Sequence, residues 1–168
     1  MADARPDTNA LVINALVARG YTIAVAESLT GGQLVAALVD VAGASATVNG
    51  AVVAYNTFLK SSVLGVSASL LAARGAVDPE VARQMAVGVR TALAVDGRPA
   101  DVGLATTGVA GPEEQDGQPV GRVYLGIAIG DRVESVELSL SGARREIQSA
   151  TVEAALATLL GLLNEPQE

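Results

Sequence analysis

Apolar residues recur at helical spacing between Asn9 and Arg19 and stop at Gly20, a residue suited to the left-handed turn that ends a helix. The β-rich run Tyr21 to Ala26 follows, then the polar turn Glu27-Ser28 with Thr30-Gly31-Gly32, then a second helical stretch from Gln33 to Val39. Small residues from Ala42 to Thr47 make a loop before a buried strand, Val48 to Tyr55, and Asn56 is placed to cap a helical turn containing Lys60. Asp78-Pro79 is a strong helix start, and Val81, Met85 and Val89 carry that helix toward Val95. Asp101 to Thr107 reads as a strand entering Gly108-Val109-Ala110-Gly111-Pro112 and an acidic loop that reaches Pro119. Val120 to Ile129 and Val133 to Leu140 form an antiparallel pair around Gly130-Asp131, and a last helix runs from near Gly142 to Leu163. Residues before Thr8 and after Asn164 are expected to fray.

Strands alternating with helices, plus one hairpin, predict an α/β fold with a mostly parallel sheet covered on both faces. No repeat, linker or low-complexity block divides it, so the 168 residues are expected to form one domain, ordered from about Asn9 to Asn164. Folds of this kind bind ligands at the C-terminal ends of their parallel strands. The polar clusters near Ser28, Tyr55 and Thr107 all follow predicted strands.

Composition then removes whole classes of function. A net charge of −7 with only 2% aromatic residues argues against nucleic acid, which needs clustered basic residues and stacking platforms. A small anionic ligand stays open, because a local group of N–H donors and an Arg can hold a phosphate whatever the net charge. The apolar runs are interrupted by Gly, Asp, Arg or Asn, so no membrane span is expected, and the polar start MADARPDTNA is unlike a signal peptide. A cytoplasmic location is the default. With no His and no Cys there is no Ser-His-Asp triad, no thiol nucleophile and no imidazole or thiolate metal site. A hydrolase built on this chain must use Ser or Thr with an unusual base, or a metal held by carboxylates.

Lys60 is the one lysine among eleven basic residues. An Arg-favouring genome explains that as a surface remnant. The alternative is that Arg was unacceptable there, since guanidinium stays protonated whereas a buried amine can lose its proton and serve a hydroxyl nucleophile. Ser28 lies in a strand-to-helix turn where it, or Thr30, either caps the helix or faces a ligand, and where Gly31 and Gly32 allow close approach. Tyr55, five residues before Lys60, is placed to share its cleft or to pack. Ser45 is a further candidate hydroxyl in a small-residue loop. Thr107 and Gly108 belong to a nest-like run, and Arg144 with Arg145 can clamp an anion or remain solvated.

Taken in order, Ala26-Glu27-Ser28-Leu29-Thr30-Gly31-Gly32, Gly43-Ala44-Ser45, Val53-Ala54-Tyr55 with Lys60, Thr107-Gly108-Val109-Ala110-Gly111-Pro112, Pro119-Val120-Gly121 and Ser141-Gly142 with Arg144 resemble the CinA C-terminal domain family, over about residues 10 to 160. The resemblance implies a three-layer α/β/α sandwich with a mixed sheet of about five strands. It implies an amidase that deamidates nicotinamide mononucleotide to nicotinate mononucleotide and ammonia, with no metal or other cofactor. Carried onto this chain, Ser28 is the nucleophile, Lys60 the general base, and Tyr55 and Ser45 relay or position protons, with Ser28 and Ser45 able to exchange roles. Thr30, Gly31, Gly32, Thr107, Gly108 and Arg144 then bind the substrate or its oxyanion. A homo-oligomer of the stand-alone form, acting on a small nucleotide without nucleic acid or membrane partners, is also implied.

The chain departs from the family pattern at Leu29, Asp78, Gln118, Ala143 and Gln148. Gln118 removes a possible positive charge near the ligand, Ala143 is expected to loosen Arg144, and Gln148 stands where a second Arg is expected. These departures motivate an alternative, a catalytically impaired nucleotide-binding or regulatory module. A third reading is a hydrolase whose Mg²⁺ is held by Glu27, Asp101 or Asp116.

Overall fold

The computed structural model describes residues 7–166. Helix α1 (Thr8–Arg19) starts at Asp7, whose carboxylate accepts the Asn9 N–H, and stops at Gly20 with φ 66°. Strand β1 (Ile23–Glu27) and helix α2 (Gln33–Val39) follow, then a single 3-10 turn at Ala44–Ala46 and strand β2 (Val48–Val53). Helices α3 (Thr57–Ser62), α4 (Ala68–Arg74) and α5 (Pro79–Ala92) precede strands β3 (Val102–Gly108), β4 (Arg122–Ile129) and β5 (Arg132–Ser139), and helix α6 (Arg144–Leu163) closes the fold. The Asp78 carboxylate caps α5 by accepting the Glu80 and Val81 N–H groups, with Pro79 in the first turn, as its sequence predicts. Helix α4 was not expected. Ser67 caps it, and only Leu70 and Leu71 pack against the core, half-buried and adjacent in sequence, too little for a helical stripe to be read.

The sheet order is β2-β1-β3-β4-β5, parallel across β2, β1 and β3 and antiparallel at β3/β4 and β4/β5. Four of the five strands therefore share a direction, and β4 opposes them. Side-chain alternation divides the core in two. Ile23, Val25, Val102, Leu104, Leu125 and Ile127 face α1, α2 and α6, while Ala24, Ala26, Ala105 and Ala128 face α5. This is the expected three-layer α/β/α sandwich. The chain passes from β1 outward to β2 and then crosses back to place β3 on the other side of β1, so the strand order reverses at β1, the kind of switch point where open α/β sheets form binding crevices at the C-terminal strand ends.

Two features of the C-terminal part of the chain bear on the expectations above. Among the described residues α6 is, by length and composition, apolar enough to span a membrane, with a mean hydropathy of 1.2. Its buried residues Ile147, Thr151, Ala155, Leu156, Leu159 and Leu163 fall on one stripe packed into the core, which is how an internal helix reads. Just past the end of α6, the Glu165 carboxylate pairs with Arg132. Residues 1–6 and 167–168 lie outside the described residues.

Candidate active site

Ser28 is the first residue after β1, and three partners fix the turn around it. The preceding Glu27 is fully buried, and its carboxylate accepts the N–H groups of Gly32, Leu34 and Val35 at 3.1, 2.9 and 3.1 Å. A buried carboxylate is tolerable here because charge-assisted N–H bonds replace its hydration. Thr106 Oγ1 on β3 accepts the Ser28 N–H at 3.4 Å and bonds the Thr30 hydroxyl at 2.9 Å. Gln148 on α6 donates to the Leu29 carbonyl at 2.9 Å.

Lys60 reaches this turn from below β2. Asn56 caps α3 by accepting the Phe58 N–H, and the short helix turns Phe58 outward and Lys60 inward. The lysine is only 1% exposed, so the surface-remnant explanation fails. Its Nζ lies 3.0 Å from Ser28 Oγ and donates to the Ala54 carbonyl at 2.7 Å. Burial disfavours the ammonium and pulls the amine down to about 8, partly countered by the negative charge of Asp116.

Ser28, with Lys60 buried behind it, opens onto a cleft of about 850 Å³ lined by Ser28, Leu29, Tyr55, Asn56, Thr57, Gly108 to Gln115 and Arg144. That volume suits a ligand of mononucleotide size. Arg144, at the start of α6, donates to the Gly111 carbonyl at 2.7 Å and to the Tyr55 hydroxyl at 3.0 Å.

Several expected roles change. Ser45 sits in the 3-10 turn before β2, exposed, whereas Ser28 follows β1. In the parallel register Ile23 faces Val48 and Glu27 faces Val53, so the two serines occupy opposite ends of the sheet, separated by the roughly 15 Å length of five strand residues. Within the chain Ser45 therefore cannot trade places with Ser28. Tyr55 lines the cleft, but its hydroxyl engages Arg144 rather than Ser28 or Lys60, so it buttresses the arginine instead of relaying protons to the pair. Thr30 is fully buried against Thr106, and the Gly31 and Gly32 N–H groups are taken by Ser28 O and Glu27. Thr107 is fully buried on the other face of the sheet, its hydroxyl donating to Ala76 O at 2.7 Å. Of the six expected binding residues, only Gly108 and Arg144 line the cleft. Asn56, Thr57 and the Gly111 to Gln115 wall were missed, although the glycine-proline break at Gly111-Pro112 had marked a loop at that strand end.

The altered positions also find places. Ala143 N–H is capped by Glu146 at 2.6 Å and Arg144 is held at two points, so the loosening expected from Ala143 does not occur. Gln115 and Gln118 pair through their backbones around the Asp116-Gly117 turn. Glu27, Asp101 and Asp116 are apart: Glu27 caps α2, Asp101 holds Thr22 at the opposite end of the sheet, and Asp116 accepts the Ala76 N–H at 3.2 Å. Among the described residues these three carboxylates do not gather into a common site.

A model of the CinA C-terminal domain matches residues 6–163. The chain belongs to that family. A CinA-like protein of Frankia casuarinae is 47% identical over 146 residues, 87% of this chain and 33% of that protein. A putative competence-damage inducible protein of Desulforamulus reducens is 47% identical over 141 residues, 84% of this chain and again 33% of its own length. The chain thus spans about a third of the curated CinA relatives it matches. Among solved CinA-type structures, competence damage-inducible protein A of Klebsiella pneumoniae superposes with a TM-score of 0.88 at 35% identity, covering 95% of this chain and 97% of that one. CihA, a competence/damage inducible protein of Agrobacterium tumefaciens, gives 0.85 at 34% identity over 98% and 100%.

Proposed function

We propose that the chain is a metal-independent amidase that hydrolyses the carboxamide of nicotinamide mononucleotide, with Ser28 as nucleophile and Lys60 as general base. The observation that carries this reading is the 3.0 Å contact between Ser28 Oγ and a buried Lys60 Nζ. A neutral amine accepts the Ser28 proton while Oγ bonds to the carboxamide carbon. The C–N bond then breaks, and the ammonium returns that proton to the departing nitrogen, which leaves as ammonia. Water attacks the resulting ester, Lys60 takes the water's proton and passes it to Ser28 Oγ, and the nicotinate carboxylate is released. The Ala54 carbonyl keeps Nζ aimed at Ser28 throughout.

Substrate class is supported by the cleft. Among the described residues Arg144 is the one basic residue lining it and suits a phosphate, while Glu113 and Glu114 on the opposing loop suit a positively charged pyridinium ring. Arg144→Ala should therefore raise KM for the nucleotide about 10-fold or more, with a smaller change in kcat, as expected for loss of a charged hydrogen-bonding group. Steady-state kinetics with ammonia detection measure this; an unchanged KM would remove Arg144 from the substrate site.

The pH profile tests the base directly. Lys60 acts only when neutral, so kcat/KM should climb with pH through a midpoint of about 8 and level off above it. At pH 7 about a tenth of the amine is available. A profile flat between about pH 6 and 9 would exclude Lys60 as the base.

A further inference from the structure

We infer that Gln148 is a positioning residue for the nucleophile, holding the peptide after Ser28 in its reactive geometry through the Leu29 carbonyl. The inference rests on the serine-lysine reading above. Gln148 lies one helical turn beyond Arg144 on α6, and residues at i and i+4 project from the same helix face. That face ties three walls of the cleft together: Arg144 holds Gly111 and Tyr55, and Gln148 Nε2 holds Leu29 O at 2.9 Å. Leu29 is itself 3% exposed and lines the cleft beside Ser28.

The need for this donor follows from the rest of the turn. On the N-terminal side Thr106 accepts the Ser28 N–H, while Glu27 reaches across the turn to the N–H groups of Gly32, Leu34 and Val35. On the C-terminal side Gly31 and Gly32 adopt positive φ, 57° and 102°, and their N–H groups are held by Ser28 O and Glu27, which leaves the Leu29 carbonyl as the group still to be fixed. Among the described residues Gln148 is the one side chain outside the turn that bonds the main chain between Ser28 and those glycines. Removing its N–H leaves a largely buried carbonyl without its partner, and the cheapest relief is rotation of the Leu29-Thr30 peptide, which displaces the serine from Nζ. A displacement of about 1 Å at a reacting atom is enough to cost about 100-fold in rate. Gln148 thus stands in for no missing substrate contact; its amide works on the enzyme's own backbone.

The test uses the full chain and a fluorophosphonate probe, which reports the reactivity of Ser28 without depending on the natural substrate. Gln148→Glu keeps the shape of the side chain and removes the donor, Gln148→Ala removes the side chain, and Gln148→Arg restores N–H donors at similar reach. Labelling of Ser28, read by mass spectrometry over time, should slow about 10-fold or more in the Glu and Ala variants and recover in the Arg variant. With nicotinamide mononucleotide the loss should fall on kcat and leave KM within about twofold. Circular dichroism melts accompany each variant, since a purely structural role would lower the melting temperature without this kcat-only signature. Equal labelling of wild type and Gln148→Glu overturns the inference, as does an Arg variant no faster than the Glu variant. Absence of Ser28 labelling in the wild type is a different result: it sinks the serine-lysine reading itself.

Discussion

Lys60→Met should lower ammonia release from nicotinamide mononucleotide at pH 8 by about 10²–10⁴-fold while leaving a folded protein, and Lys60→Arg should be equally inactive. Methionine is unbranched and of similar length, so it can follow the buried channel the lysine occupies, but it has no lone pair basic enough to take the serine proton. Arginine keeps a donor near Ala54 O yet stays protonated at every accessible pH. Because Ser28 and Lys60 act as one unit, Ser28→Ala should cost a similar factor and the double variant scarcely more. Stability provides a second readout. The folded amine is held at about 8 against an ordinary 10.5, so the unfolded chain binds more protons between those values, and the wild type gains stability as pH rises through that window. The Met variant should lack that gain in urea-melt series across the same range. Substantial turnover by either Lys60 variant would return the lysine to a structural role.

The meeting of Ser28 and Lys60 was legible in the sequence for identifiable reasons. A chain without His or Cys narrows the bases available to a hydroxyl nucleophile, which singles out a lone lysine near a strand end. Ser28 was readable because a strand followed by Glu-Ser and paired glycines marks the C-terminal edge of a parallel sheet. The error at Ser45 was one of polarity along the strands. It precedes β2 as Ser28 follows β1, and parallel neighbours send such residues to opposite ends. Thr106 and Thr107 show the limit of alternation: period two separates their faces, but only the packing of α2 and α6 tells which threonine meets the serine turn. Glu27 was harder still. Its three bonds to α2 span up to eight residues and take N–H groups that the turn had seemed to offer a ligand.

The largest structural effect should come from adding one methyl group to the face of the sheet that carries α5. A Cβ at Gly126 would sit 2.0 Å from Ala82 O, and one at Gly103 would sit 1.9 Å from Ala86 O. Both acceptors are backbone atoms one turn apart on the same helix, so no side chain can rotate out of the way. The flanking sheet residues Ala24, Ala26, Ala105 and Ala128 are also small, and together they let α5 lie almost on the sheet backbone. Gly126→Ala must therefore lift the helix and open space along its whole contact, with an expected cost of about 3 kcal/mol or more. For a domain of this size that lowers the melting temperature by about 10 °C. Gly103→Ala should do the same, and the double variant should lose less than the sum, because the helix displacement made for one methyl accommodates the other. Gly161→Ala on the exposed side of α6, where an added Cβ meets nothing within 4 Å, should instead stabilise by about 0.5–1 kcal/mol. Thermal melts of the four variants decide the matter. If Gly126→Ala and Gly161→Ala shift the midpoint equally, the close approach of α5 to the sheet is wrong.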